Sequence, residues 1–190
     1  MSLLIAVVGS ERVVFATDTL RYRDRTPSGM VPTKTFIGSG FAIATRGNVG
    51  AIETAIDFLV GKPDFRSAVA SVDEAFAAVR SHSKFDQDVA VELTIAGLVD
   101  FKPRCRRFSL AGVDLPMGPG AYCFPDLGRP LPAQISEKQL VKVAQVVERV
   151  ARERRWNLCI GGRLHLTTVD RAGARQEEIE AFGGIDALAA

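Results

Sequence analysis

Residues 2–18 read SLLIAVVGSERVVFATD. Two apolar runs, Leu3 to Val8 and Val13 to Ala16, flank Gly9-Ser10-Glu11, a composition that makes a tight turn between two strands. Both runs are apolar at consecutive positions, so both faces of the hairpin are expected to be covered. If a three-residue turn centred on Ser10 closes the hairpin, Ser2 lies opposite Asp18, and a carboxylate comes beside the hydroxyl of the second residue.

Beyond the hairpin, Arg21 to Pro32 is polar and carries Pro27, Gly29 and Pro32, which predicts a loop. That loop leads to a third strand near Thr33 to Ile37, and Gly38-Ser39-Gly40 turns into a fourth over Phe41 to Thr45. The period then changes. Ala51, Ala55, Phe58 and Leu59 share one helical face, and Ala68, Val72, Ala75, Phe76 and Val79 repeat the spacing after Lys62-Pro63, predicting two helices. Val89 to Leu98 and Arg106 to Gly112 return to strand. Ser136 with Gln139 is a capping box, and Leu140, Val143, Val147 and Val150 give a third helix an apolar face. Arg163 to Val169 and Glu177 to Phe182 close the chain as strands. Strands and helices do not alternate, so the order disfavours a parallel doubly wound sheet and fits an α+β fold of antiparallel sheets with helices packed outside them.

The 190 residues approximate one domain of ordinary size, and no linker, repeat or low-complexity segment divides them, so 1–190 is read as a single domain. Twenty-four cationic and 22 acidic side chains leave a net charge of +2, too little to point to nucleic acid or an anionic membrane. Leu3 to Val8 is too short for a span, lacks a preceding cation and runs into Glu11-Arg12, so it reads neither as a signal nor as a membrane anchor. Cys105, Cys123 and Cys159 lack C-x-x-C spacing and read as reduced thiols of a cytoplasmic protein.

Few residues suit chemistry. His82 and His165 have no carboxylate or cysteine at ligand spacing and read as structural. No phosphate-binding glycine loop or metalloprotease motif occurs, and no cofactor or metal site is expected. The basic run Lys102-Pro103-Arg104-Cys105-Arg106-Arg107 reads as a solvated hairpin or a charge-protected edge strand. Ser2 is the exception. Methionine is normally removed before a small side chain, and loss of Met1 would give Ser2 a free α-amine of ordinary pKa about 7.7–8.0 beside its hydroxyl, a nucleophile with its own base.

Asp18 lies sixteen residues after Ser2, and Lys34, in Pro32-Thr33-Lys34-Thr35-Phe36, sixteen after Asp18. With Ala44-Thr45-Arg46-Gly47, these intervals resemble the proteasome β-subunits and HslV-type peptidases, members of the N-terminal-nucleophile hydrolases. The resemblance implies a four-layer αββα sandwich and amide hydrolysis of peptides or unfolded proteins. It makes Ser2 the nucleophile, Lys34 the group that eases ionisation of its hydroxyl, Asp18 the holder of Lys34, and the Gly47 N–H an oxyanion donor. It further implies a homo-oligomeric ring or stack and allows an ATP-dependent unfoldase as partner. On this resemblance Gly161-Gly162 matches the family's late glycine pair, Gly118-Pro119-Gly120 stands where the family has Gly-Ser-Gly, Asn157 and Ile160 stand where proteasomal subunits have assisting Asp and Ser, and Ser2 replaces the usual Thr. The same resemblance fits a second expectation, an inactive assembly or scaffold subunit that keeps the ion pair without turnover. Arg46, next to the proposed oxyanion glycine, hints at an acidic or polar substrate preference.

Overall fold

A computed structural model describes residues 2–23, 26–82, 84–85, 89–126, 131–132, 135–153, 160–179 and 182. Met1, Asn157 and Cys159 lie outside the described residues. The fold is mixed α+β, with antiparallel sheets and four helices among the described residues.

The first hairpin forms from β1 (Leu4–Val8) and β2 (Val13–Asp18), as its two apolar runs predict. Its register differs from expectation by one residue. Leu4 faces Thr17 and Val8 faces Val13, so Leu3 and not Ser2 comes opposite Asp18. The turn takes four residues, Gly9 to Arg12, closed by the Gly9 N–H donating to the Arg12 carbonyl at 2.9 Å. The cause lies in the two faces. Ile5, Val7, Val14 and Ala16 share one core, while Leu4, Ala6, Val8, Val13 and Phe15 share another, and the expected register, one residue away, would set the two cores against each other.

One five-stranded sheet runs β10 (Gly120–Phe124), β1, β2, β11 (Leu164–Asp170), β12 (Gly173–Ile179). The other runs β5 (Thr35–Gly38), β6 (Phe41–Gly47), β7 (Val91–Val99), β8 (Lys102–Ser109), β9 (Asp114–Met117). Segments expected as a loop instead pair as a small two-stranded sheet, β3 (Leu20–Arg23) with β4 (Thr26–Met30), Pro27 and Gly29 being tolerated because neither strand has a second neighbour. The basic run is β8 itself. It makes a hairpin with β7, as expected, but it is interior, flanked by β7 and β9, and is not an edge. Two of its four cations are paired in place, Arg106 with Asp114 and Arg107 with Glu92, while Lys102 and Arg104 are exposed.

Helices α1 (Val49–Leu59), α2 (Phe65–Ala70) and α3 (Val72–Ser81) pack through Ala55, Leu59, Ala68, Phe76 and Val79 onto Phe41, Ile43, Leu93 and Ile95 of β6 and β7. The expected second helix is thus two, broken at Ser71. Helix α4 (Glu137–Glu153) starts at the expected box, with the Ser136 N–H donating to Gln139 Oε1 at 2.9 Å and the Gln139 N–H donating to Ser136 Oγ at 3.3 Å. Its buried stripe is Leu140, Ala144, Val147 and Ala151, rotated from the predicted one, because the small alanines approach the sheet while Val143 and Val150 sit at the margin.

Between the sheets, bulky Leu4, Val13 and Phe15 meet Ala42, Ala44 and Ala96. Small residues on one surface thus make room for large ones on the other, as close packing at interior density requires. Phe15 has no exposed surface. Phe15→Ala should therefore lose about 3–5 kcal/mol of stability by urea unfolding; a loss below about 1 kcal/mol would mean that this layer collapses around the void.

Candidate active site

Asp18 ends β2 and has no exposed surface. Its Oδ1 accepts the Leu3 N–H at 2.9 Å and Lys34 Nζ at 2.9 Å, and its Oδ2 accepts the Gly161 N–H at 3.4 Å. A carboxylate out of water needs such donors, and here one backbone amide comes from the start of β1, one from the segment before β11, and the cation from the segment before β5. Lys34 Nζ also donates to the Leu20 carbonyl at 2.7 Å, and the Lys34 carbonyl accepts the Thr45 N–H at 2.8 Å and Thr45 Oγ1 at 3.0 Å. Both ends of Lys34 are therefore fixed.

The segment after Asp18 is tied to the glycine pair. Thr19 and Leu20 donate their N–H groups to the carbonyls of Arg163 and Gly161, and the Arg163 N–H donates to Thr19 Oγ1 at 2.8 Å. Gly162 has φ +75°, and a Cβ there would stand 2.6 Å from Thr19 Oγ1, so this glycine is required by close packing.

Ser2 is 7% exposed and lines a cleft of about 540 Å³ together with Lys34 and Gly47. Gly47 closes β6 at φ +130°, where a Cβ would lie 2.0 Å from the Ala90 carbonyl oxygen, which excludes any other residue. Backbone groups alternate along a strand, and the Thr45 N–H points to Lys34 before β5 while the Asn48 N–H points to Ala90 before β7. Gly47 therefore turns its N–H to the β5 side, beyond the first residue of β5 and toward the cleft. Asn48 caps α1, its Oδ1 accepting the Ala51 N–H at 3.2 Å.

All four residues that the resemblance singles out, Ser2, Asp18, Lys34 and Gly47, thus meet at one end of the two sheets. Three neighbours depart from expectation. Gly118-Pro119-Gly120 lies at the opposite end of β1, where Gly120 faces Val8, because β10 runs antiparallel to β1. The chain that passes the Ser2 end is the one after Phe124, the partner of Leu4. Ile160 is buried in the core under α4. Arg46 does not reach for a substrate charge. It is 6% exposed, its Nε donates to the Ser2 carbonyl at 2.9 Å, and its Nη1 pairs with Glu92 at 2.8 Å. Burial lowers the Arg46 pKa from its ordinary value, and Glu92 opposes that.

Sequence reading missed the Arg46 and Glu92 pair. The signal was the phase of β6, since Arg46 falls in step with Ala42 and Ala44 on the inter-sheet face, and a charge in an apolar phase needs a buried partner. It also missed the setting of His165, which is 5% exposed. A cross-strand neighbour, Glu178, lies 3.3 Å from its Nε2, and Thr33 Oγ1 lies 3.3 Å from its Nδ1. His82 follows α3 and packs on Phe85. Free Cys105 and Cys123 have their thiols pushed up to about 12 by burial. Among the described residues no cluster of His, Cys, Asp or Glu suits a metal ion, and no helix is long and apolar enough to cross a membrane.

No protein-family model matches the sequence, and no curated protein does. Among solved structures, the chain is similar to the Gly-1 mutant of Anbu from Hyphomicrobium sp. strain MC1, with TM-score 0.70 and 15% identity over 95% of this chain and 88% of that one. A second Anbu structure from the same organism gives TM-score 0.69 and 16% identity over 94% and 88%. Anbu is proteasome-like, so the likeness is one of fold at distant sequence similarity.

The energetic weight of the buried pair can be measured. Lys34→Met leaves Asp18 charged and without its cation, and should cost about 3–5 kcal/mol at neutral pH. Asp18→Asn combined with Lys34→Met should recover part of that loss, and a double variant no more stable than Lys34→Met would show that the amides, not the lysine, hold Asp18.

Proposed function

We propose that the chain is a single-domain proteasome-like hydrolase, a four-layer αββα sandwich that cleaves amide bonds with Ser2 once Met1 is removed. The layering is supported by three separate apolar cores, one under α1 to α3, one between the sheets and one under α4. One observation carries the activity: Ser2, Lys34 and Gly47 line the same cleft, and Asp18 joins Lys34 to the peptide that follows Ser2. The fold shared with Anbu agrees with it.

In this reading Ser2 Oγ attacks the amide carbonyl and its proton passes to the α-amine of Ser2, directly or through one water. The Lys34 ammonium, held by Asp18, lowers the cost of negative charge at Oγ, and the Gly47 N–H donates to the oxyanion. The C–N bond breaks, the leaving amine takes the proton, and water hydrolyses the resulting ester. Leu20, Val31, Phe36, Val49 and Ile52 line the cleft, and its inner charges are already paired, so an apolar side chain on the acyl side is favoured. Peptide or unfolded protein is the substrate, a homo-oligomeric ring or stack the assembly, an ATP-dependent unfoldase a further partner and the cytoplasm the location, all on the resemblance.

A second reading, an inactive scaffold subunit, is favoured by the same ion pair. Asp18 and Lys34 spend three of their bonds on backbone groups, so the pair would be retained for the fold alone.

Intact mass before and after incubation with a peptide epoxyketone separates the two. Loss of the Met1 mass and one adduct per chain, absent in Ser2→Ala, is the expected result; retained Met1 with no adduct selects the scaffold. Hydrolysis should rise through about pH 7–8 as the amine loses its proton. Selective acetylation of that amine should abolish it, and undiminished turnover would remove the amine from the mechanism.

A further inference from the structure

We infer that Arg46 is a positioning residue for Ser2: with Asp18 it grips the Ser2–Leu3 peptide unit from both ends, the guanidinium taking the carbonyl and the carboxylate the N–H. The inference rests on the proposed role of Ser2 as nucleophile. The two bonds are both 2.9 Å, Arg46 Nε to the Ser2 carbonyl and the Leu3 N–H to Asp18 Oδ1. A peptide plane held at its N–H and its C=O has little freedom to rotate. The Cα of Ser2 is then fixed on one side, and its amine and hydroxyl are limited to rotation about bonds within the residue itself. That matters more for Ser than for Thr, since Ser lacks the second Cβ substituent that restricts χ1.

Arg46 is itself braced. Glu92, its cross-strand partner, takes Nη1 at 2.8 Å and is shared with Arg107 at 3.1 Å. The Phe124 ring lies 5.9 Å from Arg46 Cζ and 4.2 Å from Arg107 Cζ. The interaction uses two different nitrogens of one rigid plane, Nε on the Ser2 carbonyl and Nη1 on Glu92. A lysine ammonium has the charge but not that fork, so Lys cannot replace Arg here.

The test compares Arg46→Lys, Arg46→Gln and Glu92→Gln with the native protein on two readouts. One is the rate of covalent labelling by a peptide epoxyketone, resolved into its reversible binding constant and its maximal rate. The other is hydrogen exchange of the Leu3 amide in protein labelled with 15N-leucine, which needs no activity. With Ser2 loosened, the maximal labelling rate should fall about 100-fold in Arg46→Gln while reversible binding changes by less than about threefold. Leu3 exchange should quicken on the order of tenfold or more. Arg46→Lys should restore most of the thermal stability lost in Arg46→Gln but not the labelling rate, and Glu92→Gln should shift both readouts the same way by less. A labelling rate that recovers with stability in Arg46→Lys would reduce Arg46 to a structural charge. If the native protein forms no adduct, the proposed function fails, and Leu3 exchange then decides alone. Unchanged exchange in both Arg46 variants overturns the inference, and quickened exchange upholds the grip on the Ser2–Leu3 peptide.

Discussion

A carboxylate with no exposed surface must find its donors inside the protein, and Asp18 finds them on three segments that are far apart in sequence. The Leu3 amide, the Lys34 ammonium and the Gly161 amide converge on it. Each is needed for the others. Without Lys34 the charge is uncompensated, and without the amides the remaining lone pairs are orphaned. Because the donors belong to the entries of β1, β5 and β11, satisfying one side chain brings the starts of three strands to one point, and the cleft opens there.

The hairpin register controls what that point contains. In the three-residue turn that Gly9-Ser10-Glu11 suggests, Ser2 would have faced Asp18 and competed for its oxygens. The four-residue connection moves Leu3 into that place, so the carboxylate binds backbone and Ser2 stays beyond it with its side chain uncommitted to the strand pair. Nothing in the turn sequence forces this choice. The alternation of the two flanking cores does, since a slip of one residue would set Phe15 and Val13 against partners from the other core.

Spacing made the site legible where a residue type is rare and its element is marked by strong apolar runs, as with Asp18 at the end of β2 and Lys34 ahead of β5. The helices were legible by period and the α4 start by its cap. What could not be read depended on partners far along the chain. The β3 and β4 pairing hides behind Pro27 and Gly29, which read as breakers, and the interior place of β8 is invisible until β9 is known to cover it. The β7 and β8 turn uses Asp100 and Phe101 at φ 52° and 60°, with no glycine to announce it. His165 with Glu178 and Arg46 with Glu92 are cross-strand pairs, and a pair exists only once register is set.

The charge arrangement around the cleft follows from the same constraint. Arg46 and Lys34 both point inward from the ends of neighbouring chain segments, and two buried cations near one small residue would repel unless each had its own anion. Each does: Lys34 has Asp18, and Arg46 has Glu92, while Arg107 shares the second carboxylate and lies against Phe124. The cations are held at fixed positions by strand pairing and not by flexible surface loops, so their fields at Ser2 do not depend on solvent reorganisation. That is what a site needs if its task is to stabilise charge that appears at Ser2 Oγ for an instant. The two pairs also meet at one peptide: the Asp18 carboxylate and the Arg46 guanidinium are at once members of the ion pairs and the two groups bonded to the Ser2–Leu3 peptide, so the charges that surround Ser2 are tied to its backbone.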